Sequence, residues 1–106
     1  MPRFVIKATH SSDQCPTANS KTRDIMVKGA PAMPGLAQKL GVNVIVGPLI
    51  LGAEHESITV VDADKVEAVD DFVIQSGMVQ WNSVKVSTAM TMDEALKMLP
   101  SLTPLY

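Results

Sequence analysis

The chain predicts an α+β fold, and three observations carry that reading. Hydrophobic residues make up 46% of the 106 and charged residues 19%, which supplies a core and is too apolar for a disordered chain. Runs with a two-residue apolar period alternate with runs of helical period. Their order is strand, helix, strand, strand, helix, strand, followed by a short helix. A length of 106 residues falls in the range of one domain, so residues 1–106 are expected to form a single unit.

Phe4 to Thr9 reads as the first strand, with Phe4, Ile6 and Ala8 on one face and Val5, Lys7 and Thr9 on the other. His10 to Asn19 has turn formers and no apolar period, and is a loop. Asn19 or Ser20 caps a helix that runs to Leu40, with Gly41 as its stop. Gly29, Pro31, Pro34 and Gly35 interrupt it, so a kink or two short helices meeting near residues 29–34 is expected.

Val42 to Leu51 is the second strand, and Gly47-Pro48 within it marks a bulge or an edge. Gly52-Ala53-Glu54 turns the chain into a third strand, His55 to Asp62, where Ile58 and Val60 share a face. Asp62 or Asp64 caps the next helix, whose Val66, Val69, Phe72 and Val73 recur at helical spacing before Ser76-Gly77 ends it. Trp81 to Met90 is the fourth strand. Thr91-Met92-Asp93-Glu94 is a capping box for a final helix, with Ala95, Leu96 and Leu99 expected to point inward and Pro100 to stop it.

This order is that of a split βαβ, or ferredoxin-like, fold. A right-handed crossover leaves a slot between the first two strands, the third fills it, and the fourth lies outside the first. The result is a four-stranded antiparallel sheet of order 4-1-3-2 with both helices on one face. The other face stays open, and Val44, Ile45, Val46, Leu49, Ile50 and Leu51 place apolar side chains on both sides of it. An open apolar face implies an interface, so a homodimer through the sheet is expected.

Pro2-Arg3-Phe4-Val5-Ile6, the stretch from His10 to Pro16, and Glu54-His55-Glu56 resemble the dimeric α/β-barrel superfamily of small ferredoxin-like proteins. That superfamily includes antibiotic-biosynthesis monooxygenases, muconolactone isomerases and stress-responsive barrel proteins. The resemblance implies a barrel-like dimer, and a cofactor-independent monooxygenase or isomerase as one possible activity. The prolines of the first helix depart from its usual uninterrupted pattern.

Composition removes several classes of function. The net charge is −2, and the seven Lys and two Arg are scattered singly, so the clustered cations that nucleic-acid binding needs are missing. The longest apolar run, Val44 to Leu51, has eight residues where a membrane helix needs about 20. The first residues turn polar by Lys7, unlike a signal peptide. A lone Cys15 cannot form an internal disulfide. The expectation is a cytoplasmic protein with no nucleic-acid or membrane partner.

Chemistry concentrates on the two histidines and the cysteine. In the 4-1-3-2 order the exit of the first strand adjoins the entrance of the third, so His10, Cys15 and His55 converge on one corner. Imidazole and thiolate suit Zn, Ni, Cu or Fe, and three protein ligands leave a position open. Asp13, Glu54 and Glu56 are candidates for a fourth ligand or for orienting a ring. Strand parity stands against the cluster, because His10 falls with Phe4, Ile6 and Ala8 while His55 falls with Ser57, Thr59 and Val61.

Other readings compete. His10 or His55 could act as a general base toward a substrate in the barrel cavity, with Cys15 a nucleophile beside His10. Pro2 would be a basic secondary amine once Met1 is removed. The methionines fit core gap-filling better than copper binding. Trp81 falls at the histidine edge and could wall a pocket there. A structural dimer with no chemistry is the third reading.

Overall fold

The computed structural model describes residues 1–106. Strand β1 spans Arg3–Thr9, β2 Asn43–Leu51, β3 Glu56–Asp62 and β4 Ser83–Ala89. Helix α1 spans Ser20–Gly29, α2 Met33–Leu40, α3 Val66–Gln75 and α4 Met92–Met98. The sheet runs β2-β3-β1-β4, which counted from the opposite edge is 4-1-3-2, and every neighbouring pair is antiparallel. This α+β arrangement is compatible with a ferredoxin-like fold. No helix is long and apolar enough to cross a membrane.

Local chemistry sets most boundaries. The Asn19 side chain accepts from the N–H groups of Lys21 and Thr22, satisfying two open donors of α1. The proline-rich stretch breaks the helix as expected: a 3-10 turn at Ala30–Ala32 separates α1 from α2. Gly41 closes α2 in the left-handed conformation, at φ 73°, donating to the carbonyls of Ala37 and Gln38. Thr91 and Glu94 form the reciprocal capping box of α4.

The Gly47-Pro48 interruption is both an edge and an irregularity, since β2 is an outer strand whose register shifts on either side of Val46. Gly47 sits at φ 103°, and a Cβ there would lie 2.6 Å from the Ile58 carbonyl oxygen. Only glycine fits.

Phe4, Ile6, Ala8 and Val61 pack with Ala37 of α2 and with Val69, Phe72 and Val73 of α3 in one apolar cluster. The register pairs Phe4 with Val61, Ile6 with Thr59 and Ala8 with Ser57, so these residues share the helix-covered face. Ile58 and Val60 therefore lie on the open face with Val5. Arg3–Asp62 at 2.9 Å and Lys7–Glu56 at 3.3 Å bridge the open face.

Four expectations are corrected. Lys65, with no side-chain bond, occupies the cap position of α3; Asp62 ends β3 and pairs with Arg3, and Asp64 falls one residue before the cap. His55 lies outside β3 in a left-handed turn at φ 53°. Trp81 precedes β4 rather than belonging to it. Leu96 of α4 and Leu99 just after it do not point inward: they are 55% and 54% exposed, and α4 has no buried residue.

Candidate metal centre

Three segments deliver three donors to one corner. His10 follows the last residue of β1, and its backbone N–H donates to the His55 carbonyl at 3.0 Å. That single bond ties the exit of β1 to the turn before β3. Cys15 comes from the intervening loop, where its carbonyl accepts from the N–H groups of Ala18 and Asn19. Helix α1 fixes this loop, because Arg23 donates to the carbonyls of Pro16 and Thr17 at 2.8 and 2.9 Å.

The ligand atoms of His10, Cys15 and His55 all lie within 4.8 Å of one another. Bond lengths of about 2.0–2.3 Å around a tetrahedral zinc put donors roughly 3.3–3.6 Å apart. Closing the set requires movements of about an ångström, within the reach of small ring and thiol rotations.

The parity obstacle dissolves in the register. Since Ala8 pairs with Ser57, the faces holding His10 and His55 are the same helix-covered face.

Donor chemistry follows from the partners. Asn82 donates through Nδ2 to the Met78 carbonyl at 3.0 Å, which turns its Oδ1 toward His10 Nδ1 at 3.1 Å. An amide oxygen only accepts, so Nδ1 of His10 carries the hydrogen and Nε2 keeps a bare lone pair. That Nε2 is buried without a partner, and so is Nδ1 of His55. Two buried, unsatisfied ring nitrogens in one corner are costly unless something binds them.

Cys15 is 8% exposed, and its Sγ lies 3.0 Å from the Thr17 hydroxyl. The thiol is pulled down from its ordinary range to about 6, first by the Thr17 hydroxyl and then by the Thr17 backbone, with burial opposing them. A thiolate, the form that binds metal, is favoured at neutral pH.

The corner opens into a cavity of about 160 Å³, close to the roughly 150 Å³ that accommodates benzene in an engineered protein core. Pro16, Met26, Ile50, Leu51 and Trp81 give it an apolar wall. Trp81 packs against His10 with ring centroids 5.1 Å apart, and His10 meets His55 edge-on at 5.4 Å.

No carboxylate joins the donor set. Glu56 is held by Lys7 on the open face, Asp13 is bound by the Ser11 hydroxyl, which keeps its carboxyl below the usual range, and Glu54 is exposed. Asn82 takes the orienting role instead. Sequence reading misses it, although the strand order carries the signal: Thr9 pairs with Ser83, so the residue before β4 must adjoin the residue after β1. Pro2 lies at the far end of β1, where its carbonyl accepts from Ala63, away from this corner.

Neither protein-family models nor curated proteins give a match to this chain.

Proposed function

We propose that the chain is a small metal-binding protein whose centre is formed by His10 Nε2, His55 Nδ1 and Cys15 Sγ. The observation that carries this reading is that a ring nitrogen of each histidine lies within 4.8 Å of a thiol already biased toward thiolate, and that each ring has one buried nitrogen without a partner. Two imidazoles and a thiolate are borderline-to-soft donors and select a transition ion of the Zn, Ni, Cu or Fe group over Mg²⁺ or Ca²⁺. Three protein ligands leave a fourth position, which suits an exchangeable ligand in the apolar cavity rather than a closed structural site.

Metal analysis of untagged protein tests this. One equivalent of a transition ion is expected, falling sharply in His10→Ala and His55→Ala. Protein that carries none, and that takes up none of the four ions on titration, overturns the reading.

A second reading rests on the cavity itself. A low thiol beside two imidazoles in an apolar pocket also suits a thiolate nucleophile with a histidine base, acting without a metal on a small apolar substrate. Chelator-treated protein separates the two. Catalytic turnover that survives chelation favours the enzyme.

A further inference from the structure

The cavity at the donor corner has neighbours. Met26 and Trp81, which wall it, also line a second cavity of about 60 Å³ together with Met33 and Met78. Ala30, Met33 and Met78 line in turn a third cavity, of about 180 Å³. The three stand in a row beneath the helices and share their walls. Three of the shared side chains are methionines, which are unbranched and recur at surfaces that reshape around ligands.

The third cavity joins two irregularities that the donor corner leaves unused. Ala30, Met33 and Pro34 come from the proline-rich break between α1 and α2, and Gly47 and Pro48 from the irregular stretch of edge strand β2. Thr59 and Phe72, 3% and 2% exposed, make its deepest wall. Protein interiors hold few voids larger than a water molecule. A broken helix over a bulged strand keeps open a space that regular elements would fill.

Shape and charge select the occupant. The middle cavity, about 60 Å³, is far smaller than the roughly 150 Å³ that accommodates benzene, so it admits an unbranched chain and not a ring. Thr59 lies three residues beyond Glu56, the first residue of β3, which sets the third cavity about 10 Å from the donor corner at strand spacing. With C–C bonds of about 1.5 Å, an extended chain of about eight carbons covers that distance. At the corner, a divalent ion held by one thiolate and two neutral imidazoles keeps a net positive charge. No Lys or Arg lines that cavity, so an anionic head has only the ion to meet.

We infer that the centre takes a linear carboxylate of about eight to ten carbons, its head on the open metal position and its tail threaded past the methionines to Thr59 and Phe72. The head rests on the metal reading; the tail rests on the cavities alone.

Titration calorimetry of zinc-loaded protein with acetate, hexanoate, octanoate, decanoate and dodecanoate tests it. Affinity is expected to rise about fourfold per added methylene as far as octanoate, and to level off beyond decanoate. Equal affinities for acetate and octanoate overturn the inference and leave the metal centre standing, as does benzoate binding as tightly as octanoate. Ala30→Trp alters an exposed residue that lines both inner cavities. It is expected to cut octanoate affinity by about 10-fold or more, the equivalent of two buried methylenes, with zinc affinity and circular dichroism unchanged. Unchanged octanoate affinity in the folded variant overturns the inference; if the variant unfolds, the wild-type chain-length series decides. A chain that takes up no zinc overturns the metal reading and the carboxylate head with it. The uncharged pair 1-butanol and 1-octanol, titrated into metal-free protein, then decides the tail site: equal affinities overturn that too.

Discussion

Asn82 donates its amide hydrogen to the Met78 carbonyl at 3.0 Å and accepts the Nδ1 hydrogen of His10 at 3.1 Å. A side chain outside the proposed donor set thereby selects the tautomer of one within it. Asn82→Leu removes the acceptor while keeping the volume, and is expected to raise the zinc dissociation constant by about 10–100-fold. Asn82→Asp still accepts from Nδ1 and should retain most of the affinity. Competition against a chromophoric chelator reads both.

Metal should stabilise the fold by mass action. With free Zn²⁺ at 100 times its dissociation constant, the gain is about 2.7 kcal/mol, or roughly 10 °C in melting temperature for a chain of this size. His10→Ala, Cys15→Ser and His55→Ala should each abolish the shift, and Mg²⁺ should produce none in the wild type. Differential scanning calorimetry provides the check.

The thiol of Cys15 imposes a pH dependence with a definite sign. Its folded value of about 6 lies below the ordinary 9.0, so between these limits the unfolded chain holds more protons than the native one. Stability of the metal-free protein therefore rises with pH across this window, and the contribution is lost as pH falls through about 6. Cys15→Ser should flatten that part of the stability curve, and Thr17→Val, which removes the largest cause, should push the thiol back up. Ultraviolet thiolate absorbance follows the titration directly.

Gly47 tests the β2 irregularity. Gly47→Ala forces a Cβ against the Ile58 carbonyl in a backbone region that side chains avoid, and should cost about 3 kcal/mol or more. Gly52→Ala, where a Cβ meets nothing within 4 Å, should change stability by less than about 0.5 kcal/mol. Urea denaturation of the two variants distinguishes them.

Features written in short-range chemistry are legible in the sequence: the cap at Asn19, the break between Gly29 and Pro34, the stop at Gly41, the capping box at Thr91. Strand order follows from connection rules, and it alone brings His10, Cys15 and His55 together. The orientation of β3 is not legible, because Ile58 and Val60 make one face as apolar as the face with Thr59 and Val61. Only the pairing of Ala8 with Ser57 resolves it. Asn82 and Thr17 escape for a related reason, since their roles depend on what lies across a strand or a loop turn. The apolar spacing of α4 reads as an inward face in the sequence, yet Leu96 is exposed, because spacing alone does not say what lies beneath a helix.

His55 closes the tight connection between β2 and β3, its own N–H reaching back to the Gly52 carbonyl at 3.3 Å. A donor ring of the proposed centre placed there makes the hairpin a ruler of fixed length. A residue added to or removed from the turn would change where that ring is delivered relative to His10 and Cys15. The tip of this loop can be redecorated, but resizing it would take the ring out of reach of the other two donors.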